Sequence, residues 1–89
     1  EDLIEEQIEP GYWRFSARLD VEDLNEKFDL NLPAMDAYET LGGLMIHHVE
    51  DIPEPGFTLE LDTCTLTVED VSSSKIQTIL IRTQEHGSA

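Results

Sequence analysis

Apolar and polar residues alternate along separate parts of this chain, and that period of two constrains its fold more than any other feature. The first alternation runs from Tyr12 to Leu19, and two more follow within residues 57–69. Successive side chains of a strand point to opposite faces, so each run predicts a strand with one buried and one wet face. The apolar members of the three runs are Trp13, Phe15, Ala17 and Leu19; Phe57, Leu59 and Leu61; and Cys64, Leu66 and Val68.

The last apolar run, Lys75 to Thr83, does not alternate cleanly. Its apolar residues Ile76, Ile79, Leu80 and Ile81 fall on both faces of an extended chain. This pattern is typical of a central strand that is covered on two sides, or of a strand that carries a bulge.

Two segments between the strands have helical periodicity. Asp20 stands where an N-cap is expected, and a short helix is predicted from Val21 to about Phe28. A second helix is predicted from Tyr38 to Val49. Two consecutive glycines, at 42 and 43, cost that helix about 1 kcal/mol each relative to Ala, which indicates that another backbone packs close there. The apolar stripe of the second helix comprises Leu41, Leu44, Met45, His48 and Val49.

The predicted order is strand, helix, helix, strand, strand, strand, which defines an α+β domain. The last three strands form a meander, so we expect a largely antiparallel sheet with the helices packed on one face. We place the domain at residues 11–84, after an acidic linker over residues 1–10 and before a flexible tail over residues 85–89. The chain starts within an acidic run and without Met, which indicates a fragment of a larger protein.

Charge excludes one class of partner. The chain has 20 acidic and 5 basic residues, for a net charge of -15. Such a chain repels phosphate backbones and anionic lipid surfaces, so we expect neither nucleic-acid binding nor direct membrane contact. A single cysteine, Cys64, forms no internal disulfide, so the fold depends on packing and a reducing compartment is the best fit.

Few residues have the spacing that chemistry requires. His47 and His48, followed by Glu50 and Asp51, invite a metal interpretation, but adjacent helical residues point about 100° apart and the ligand set is short of four. We therefore expect no dedicated metal site, only loose screening of the carboxylates by cations. Cys64 lies on the apolar face of its strand and is interpreted as an inert core residue. No nucleophile elbow, phosphate-binding loop or paired-carboxylate cleft is evident, so no catalytic residue is assigned.

Four residues form a candidate interaction surface on or near the predicted strands: Tyr12, Arg14, Arg18 and Arg82. Basic side chains are scarce here, so their positions carry information. One interpretation is local pairing with the many carboxylates, each pair contributing little at the surface. The other is an anchor for an anionic ligand or a partner domain.

Three motifs carry a resemblance to a known family. These are the segment Leu19 to Glu26, which contains Asp-Leu-Asn, the Thr-Leu-Gly-Gly helix start at residues 40–43, and the Ile-Pro-Glu-Pro-Gly turn at residues 52–56. Together they resemble the transporter-associated domain at the C-terminus of the CorC/HlyC family of hemolysin-like and magnesium/cobalt efflux proteins. The resemblance runs from about Gly11 to Thr83. One departure is visible, since the family usually has Gly where this chain has Ala17.

The resemblance implies a regulatory or docking domain of a membrane ion transporter, without catalytic activity and on the cytoplasmic side of the membrane. Its partners are then the CBS modules and membrane region of the same parent chain, and homodimerisation is compatible with that role. The resemblance also implies a fold similar to the FAD-binding domain of the vanillyl-alcohol-oxidase type. Binding of FAD or an adenine nucleotide is therefore the alternative hypothesis, although we expect no cofactor because the acidic chain lacks a Gly-rich phosphate loop.

Overall fold

A computed structural model describes residues 3–83 of the chain and shows an antiparallel sheet of five strands with two helices. The α+β class is confirmed. The proposed tail over residues 85–89 lies outside the described residues. The elements are β1 (Glu5–Glu9), β2 (Tyr12–Ser16), α1 (Val21–Phe28), α2 (Leu41–Val49), β3 (Thr58–Glu60), β4 (Cys64–Ser72) and β5 (Lys75–Thr83).

The strands are ordered β1-β2-β5-β4-β3 across the sheet, and each pair of neighbours is antiparallel. The predicted meander of the last three strands is confirmed. β5 lies in the middle of the sheet, which accounts for its high apolar content. β2 pairs with β5 on the side opposite to β4. The first and the last of the strands predicted from the sequence therefore lie next to each other in the sheet.

The acidic segment before Gly11 is not wholly a linker, and this part of the prediction is wrong. Glu5–Glu9 forms β1, which pairs with β2 at one edge of the sheet. All five of its side chains are exposed. Its pairing depends on the backbone ladder and on charge, so the strand has no apolar alternation by which its sequence would reveal it.

β2 ends at Ser16, three residues before the predicted boundary, because the Ala17 and Leu19 carbonyls bond to α2 instead of to a strand. The Ala17 N–H donates to the Gln77 carbonyl at 2.9 Å, and the Ala17 carbonyl accepts from the Gly42 N–H at 2.8 Å. The Leu19 carbonyl then accepts from the Leu41 N–H at 2.9 Å. The segment after β2 therefore anchors the start of α2.

The helix bounds follow from their caps. α1 covers the predicted residues, although the Asp20 side chain at its N-cap makes no capping hydrogen bond. α2 begins at Leu41 instead of Tyr38, because Thr40 is extended and its Oγ1 accepts from the Gly43 N–H at 3.2 Å. Serine, threonine and aspartate side chains at this position satisfy the free N–H groups of a first turn.

The expected close approach at the paired glycines is confirmed. A Cβ placed on Gly42 lies 3.1 Å from the Ala17 Cβ and 3.3 Å from the Ala17 carbonyl oxygen. A Cβ placed on Gly43 lies 3.0 Å from the Tyr38 Cβ. Glycine at residue 42 thus allows the helix to pack directly on the backbone that follows β2.

Irregular pairing explains the mixed pattern of β5. The register between β4 and β5 shifts on both sides of Asp70, so Ile76 pairs with Val71 whereas Ile79 pairs with Val68. These shifts place Ile76 and Ile79 in the same core although they are three positions apart, a spacing that puts residues of a regular strand on opposite faces. Of the two alternatives, the bulged strand is the one observed.

β3 is shorter than its alternating sequence predicts. The strand comprises only Thr58–Glu60, and Phe57 before it remains 39% exposed. β3 is the outermost strand on its side of the sheet, so it has one paired neighbour and little cover. The assignment of Phe57 to the core is therefore wrong.

The core lies between the helices and the face of the sheet that carries Trp13 and Phe15. Leu44 is fully buried there, as its place in the α2 stripe predicts. The other fully or nearly fully buried side chains are Val21, Leu24, Leu30, Leu41, Met45, Cys64, Leu66, Val68, Ile79 and Ile81. The opposite face of the sheet carries the polar members of the strands.

Candidate functional site: the ion-paired face of the sheet

The register of β2 with β5 brings two of the four candidate residues into direct contact. Tyr12 and Arg82 are cross-strand partners, and the guanidinium carbon of Arg82 lies 4.0 Å from the centre of the Tyr12 ring. Arg14, two residues along β2, shares their face of the sheet. A cation stacked on an aromatic ring in this way is stabilised by the ring's quadrupole.

Arg14 is the centre of a polar network on this face. Its Nε donates to Glu69 Oε1 at 2.8 Å and its Nη2 donates to Glu69 Oε2 at 2.9 Å, so the guanidinium holds the carboxylate in two places. The hydroxyl of Thr78 also donates to Glu69 Oε1, at 3.0 Å. On the other side, Nη1 of Arg14 donates to Glu6 Oε1 at 3.0 Å. The network therefore joins four strands: β1, β2, β4 and β5.

The network changes the acid–base properties of both partners. Hydrogen bonds from Arg14 hold the pKa of Glu69 below its ordinary value, and the Thr78 hydroxyl acts in the same direction. The pKa of Arg14 is raised, chiefly by its hydrogen bonds to Glu69 and Glu6. Both groups are thus charged at any physiological pH.

Two further ion pairs involve β1. Arg82 Nη2 lies 3.4 Å from Glu9 Oε2, and Lys27 Nζ of α1 lies 2.7 Å from Glu5 Oε2. Three of the chain's five basic residues therefore contact carboxylates of β1. The observed geometry favours local pairing for Arg14 and Arg82, and an anchor for an outside partner stays a prediction.

Arg18 is not part of this surface. It is exposed in the turn after β2, beyond the end of the strand that is remote from Tyr12. It borders a shallow cleft of about 320 Å³ whose lining includes Gly43, Ile46 and Lys75. The prediction grouped Arg18 with the other three because the alternation continues past Ser16, where the strand ends.

The two histidines lie in the last turn of α2, which is where the predicted helix places them. His48 Nδ1 lies 3.0 Å from the Leu44 carbonyl oxygen, so this nitrogen carries the proton and donates. The His47 ring centre lies 5.4 Å from that of Tyr38. Within residues 3–83, no group of three or more His, Cys, Asp or Glu side chains is placed to hold a metal ion.

Cys64 is fully buried in the core, as its place in the apolar alternation predicts. Burial raises the pKa of its thiol, which disfavours the reactive thiolate.

A second cleft, of about 270 Å³, lies between the start of α1 and the segment before α2. Its lining includes the carboxylates of Asp20, Glu22, Asp36 and Glu39.

Sequence reasoning missed the carboxylate partners on the ion-paired face. Glu69 is 55 residues from Arg14 along the chain, and no spacing rule connects the two. The alternation did contain a partial signal, because Tyr12 and Arg14 fall together on the wet face of their strand.

The family model CorC_HlyC, described as "Transporter associated domain", matches residues 6–85. The match covers most of the 89 residues, so the chain belongs to this family. A UPF0053 protein of Haemophilus influenzae is 36% identical over 55 residues, which are 62% of this chain and 13% of that protein. The matched segment therefore spans only about one eighth of the length of that curated relative.

Solved structures share the fold. A transporter associated domain CorC_HlyC from Nitrosomonas europaea superposes with a TM-score of 0.83 at 20% identity, covering 94% of this chain and 100% of that one. The same domain of a Xylella fastidiosa hemolysin, solved in complex with Mg²⁺ and Mn²⁺, gives a TM-score of 0.79 at 22% identity and covers 92% and 99% of the two chains. In residues 3–83 of the present chain, neither helix is long and apolar enough to span a bilayer.

Proposed function

We propose that this domain is a non-catalytic regulatory and docking module of a membrane ion transporter that also contains CBS modules. The observation that carries the proposal is the family match over residues 6–85. The Haemophilus influenzae relative is far longer than this chain, which leaves room for membrane and CBS regions in a parent protein. A solved relative from Neisseria meningitidis is described as a region associated with a Mg²⁺ and Co²⁺ transporter, which supports transport of these ions as the parent activity; efflux is the direction that we propose.

A regulatory module changes transport without carrying the ion itself. In the proposed arrangement the domain lies on the cytoplasmic side and contacts the CBS modules of its own chain. In this proposal its own carboxylates associate with divalent cations only loosely, as the lack of calcium-loop spacing in the sequence predicts.

The test is a transport assay on the full-length parent, with and without this domain. Both proteins are reconstituted in vesicles, and efflux of Mg²⁺ and Co²⁺ is measured at matched protein density. We expect the truncated parent to retain transport with altered rate or altered dependence on nucleotide or cation. Loss of all transport in a folded truncated parent, or no change at all, would contradict a regulatory role.

Flavin or adenine-nucleotide binding is the alternative function. The relatives described above are transporter-associated domains and lend no support to a flavin-binding fold. Purified protein is expected to show no flavin absorbance and no saturable FAD binding, because the acidic surface repels a pyrophosphate. A yellow protein, or micromolar affinity for FAD or ATP in calorimetry, would favour the alternative.

A further inference from the structure

β1 differs from β2, β4 and β5 in what holds it to the sheet. None of its side chains is buried, whereas β2, β4 and β5 each place several residues in the core. Its register with β2 shifts between Gln7 and Glu9, so Ile8 interrupts the ladder and remains 40% exposed. Hydrophobic burial therefore contributes little to the docking of this strand.

Charge contributes instead, and it does so from both faces of the sheet. Glu5 contacts Lys27 on the side of the helices. Glu6 and Glu9 contact Arg14 and Arg82 on the opposite side. In a protein with 20 acidic and 5 basic residues, bringing three more carboxylates to the sheet is opposed by long-range repulsion. These three short-range contacts act against that repulsion, together with the β1–β2 backbone ladder.

We propose that β1 is a releasable strand, paired with β2 by its backbone ladder and fastened to β2, α1 and β5 by these three ion pairs, and that the rest of the domain stays folded when it detaches. Release uncovers the backbone edge of β2 and separates Arg14, Lys27 and Arg82 from their β1 partners. The strand thus alternates between a closed edge and an open edge at which Arg14 keeps only its Glu69 partner and Lys27 and Arg82 lose their β1 carboxylates. This inference stands on the described contacts and does not depend on the proposed transport role.

Amide hydrogen exchange measured by NMR on the complete 89-residue chain tests the proposal. The reporters are the β1–β2 ladder amides and the Ser16 amide, which donates to the Ile4 carbonyl at 2.8 Å. The reference amides are those of the β4–β5 ladder. In the unmodified protein we expect the reporters to be at least about tenfold less protected than the reference amides, because sub-global opening precedes global unfolding.

The variant carries Glu5→Gln, Glu6→Gln and Glu9→Gln. The matched control carries Glu26→Gln, Glu54→Gln and Glu60→Gln, which remove the same charge from exposed positions outside β1. An exposed ion pair multiplies an equilibrium constant by roughly two to three, so the β1 variant should lower reporter protection about tenfold relative to the control. Reference amides should be equally protected in the two variants.

Two results would overturn the proposal. If reporter and reference amides exchange together in the unmodified protein, β1 does not detach by itself. If the two variants affect the reporters equally, the ion pairs are not what fastens the strand.

Discussion

Leu41, Leu44 and Met45 of α2 are completely buried against the sheet, whereas every side chain of β1 is exposed at its edge. Both elements belong to one small domain and both contact the sheet. The first contact excludes water from apolar surface, and the second pairs charges that remain largely in water. The two regions should therefore respond to different perturbations: shape and volume in the interior, charge and ionic conditions at the edge.

The polar network around Arg14 lies between these extremes. Glu69 and Thr78 belong to the central strands of the sheet, while Glu6 belongs to β1. The Arg14 and Glu69 side chains are 32% and 31% exposed. Because the Arg14 guanidinium pairs with Glu6 of β1 and with Glu69 of β4, it connects the stability of the edge to the integrity of the central strands.

The largest expected effect comes from removing core packing between α2 and the sheet. Leu44→Ala removes a fully buried side chain and leaves a cavity, which should lower the free energy of unfolding by about 2 to 5 kcal/mol. Chemical denaturation monitored by circular dichroism measures this change. Ile46→Ala is the matched control on the same helix, because Ile46 is 41% exposed. A loss below about 0.5 kcal/mol for Leu44→Ala would contradict the importance of this packing.

A smaller effect is expected where α2 contacts the backbone after β2. Gly42→Val should lower the free energy of unfolding by about 1 to 3 kcal/mol, because added carbons meet the Cβ and carbonyl of Ala17. Ala17→Gly removes the Ala17 Cβ, which is the atom nearest to a Cβ placed on residue 42. In a double-mutant cycle, Ala17→Gly should recover part of the Gly42→Val loss. Strictly additive losses would show that the two residues are not in repulsive contact.

The residues of these two regions also explain how far sequence reasoning reaches. The core positions of Leu44, Leu66 and Val68 follow from periodicity, because burial imposes a repeat that sequence displays. β1 has no such repeat, since its side chains face water and its docking depends on partners elsewhere in the chain. The helix start at Leu41 depends on a Thr40 cap that competes with a continuing helical pattern.

The candidate site divides in the same way. The shared face of Tyr12 and Arg14 follows from the alternation, and their proximity to Arg82 requires only the pairing of two strands. The bidentate contact between Arg14 and Glu69 requires the full order of the sheet. Arg18 was misplaced because an alternating sequence does not show where a strand turns to meet a helix.

The next prediction tests the network that joins the two regions. The pKa of Glu69 is lower in the folded state than its ordinary value of 4.5. The ionised carboxylate therefore stabilises the fold at a pH above 4.5, and this contribution is lost as the pH falls through the pKa of the folded state. Glu69→Gln should therefore be less stable than the unmodified protein at neutral pH, and this difference should shrink in acid.

Urea denaturation at several pH values between neutrality and strong acid measures the difference. Glu54→Gln is the control, because Glu54 is exposed and lies outside the network. The effect of Glu69→Gln at neutral pH should be smaller than that of Leu44→Ala, since its partners are partly exposed. A difference that stays constant, or that grows as the pH falls, would contradict the assigned role of Glu69.

The smallest expected effect is that of salt on the melting temperature. This measurement distinguishes the long-range repulsion among the carboxylates from the short ion-pair contacts at β1. With a net charge of -15, the folded chain is destabilised by self-repulsion that unfolding relieves. NaCl should therefore raise the melting temperature, mostly between about 0.01 M and 0.1 M, where the Debye length falls from about 30 Å to about 10 Å. MgCl₂ at matched ionic strength should add a further gradual rise through loose association with the carboxylates. If micromolar Mg²⁺ alone raised the melting temperature by several degrees, the screening explanation would be wrong and a specific metal site would have to replace it.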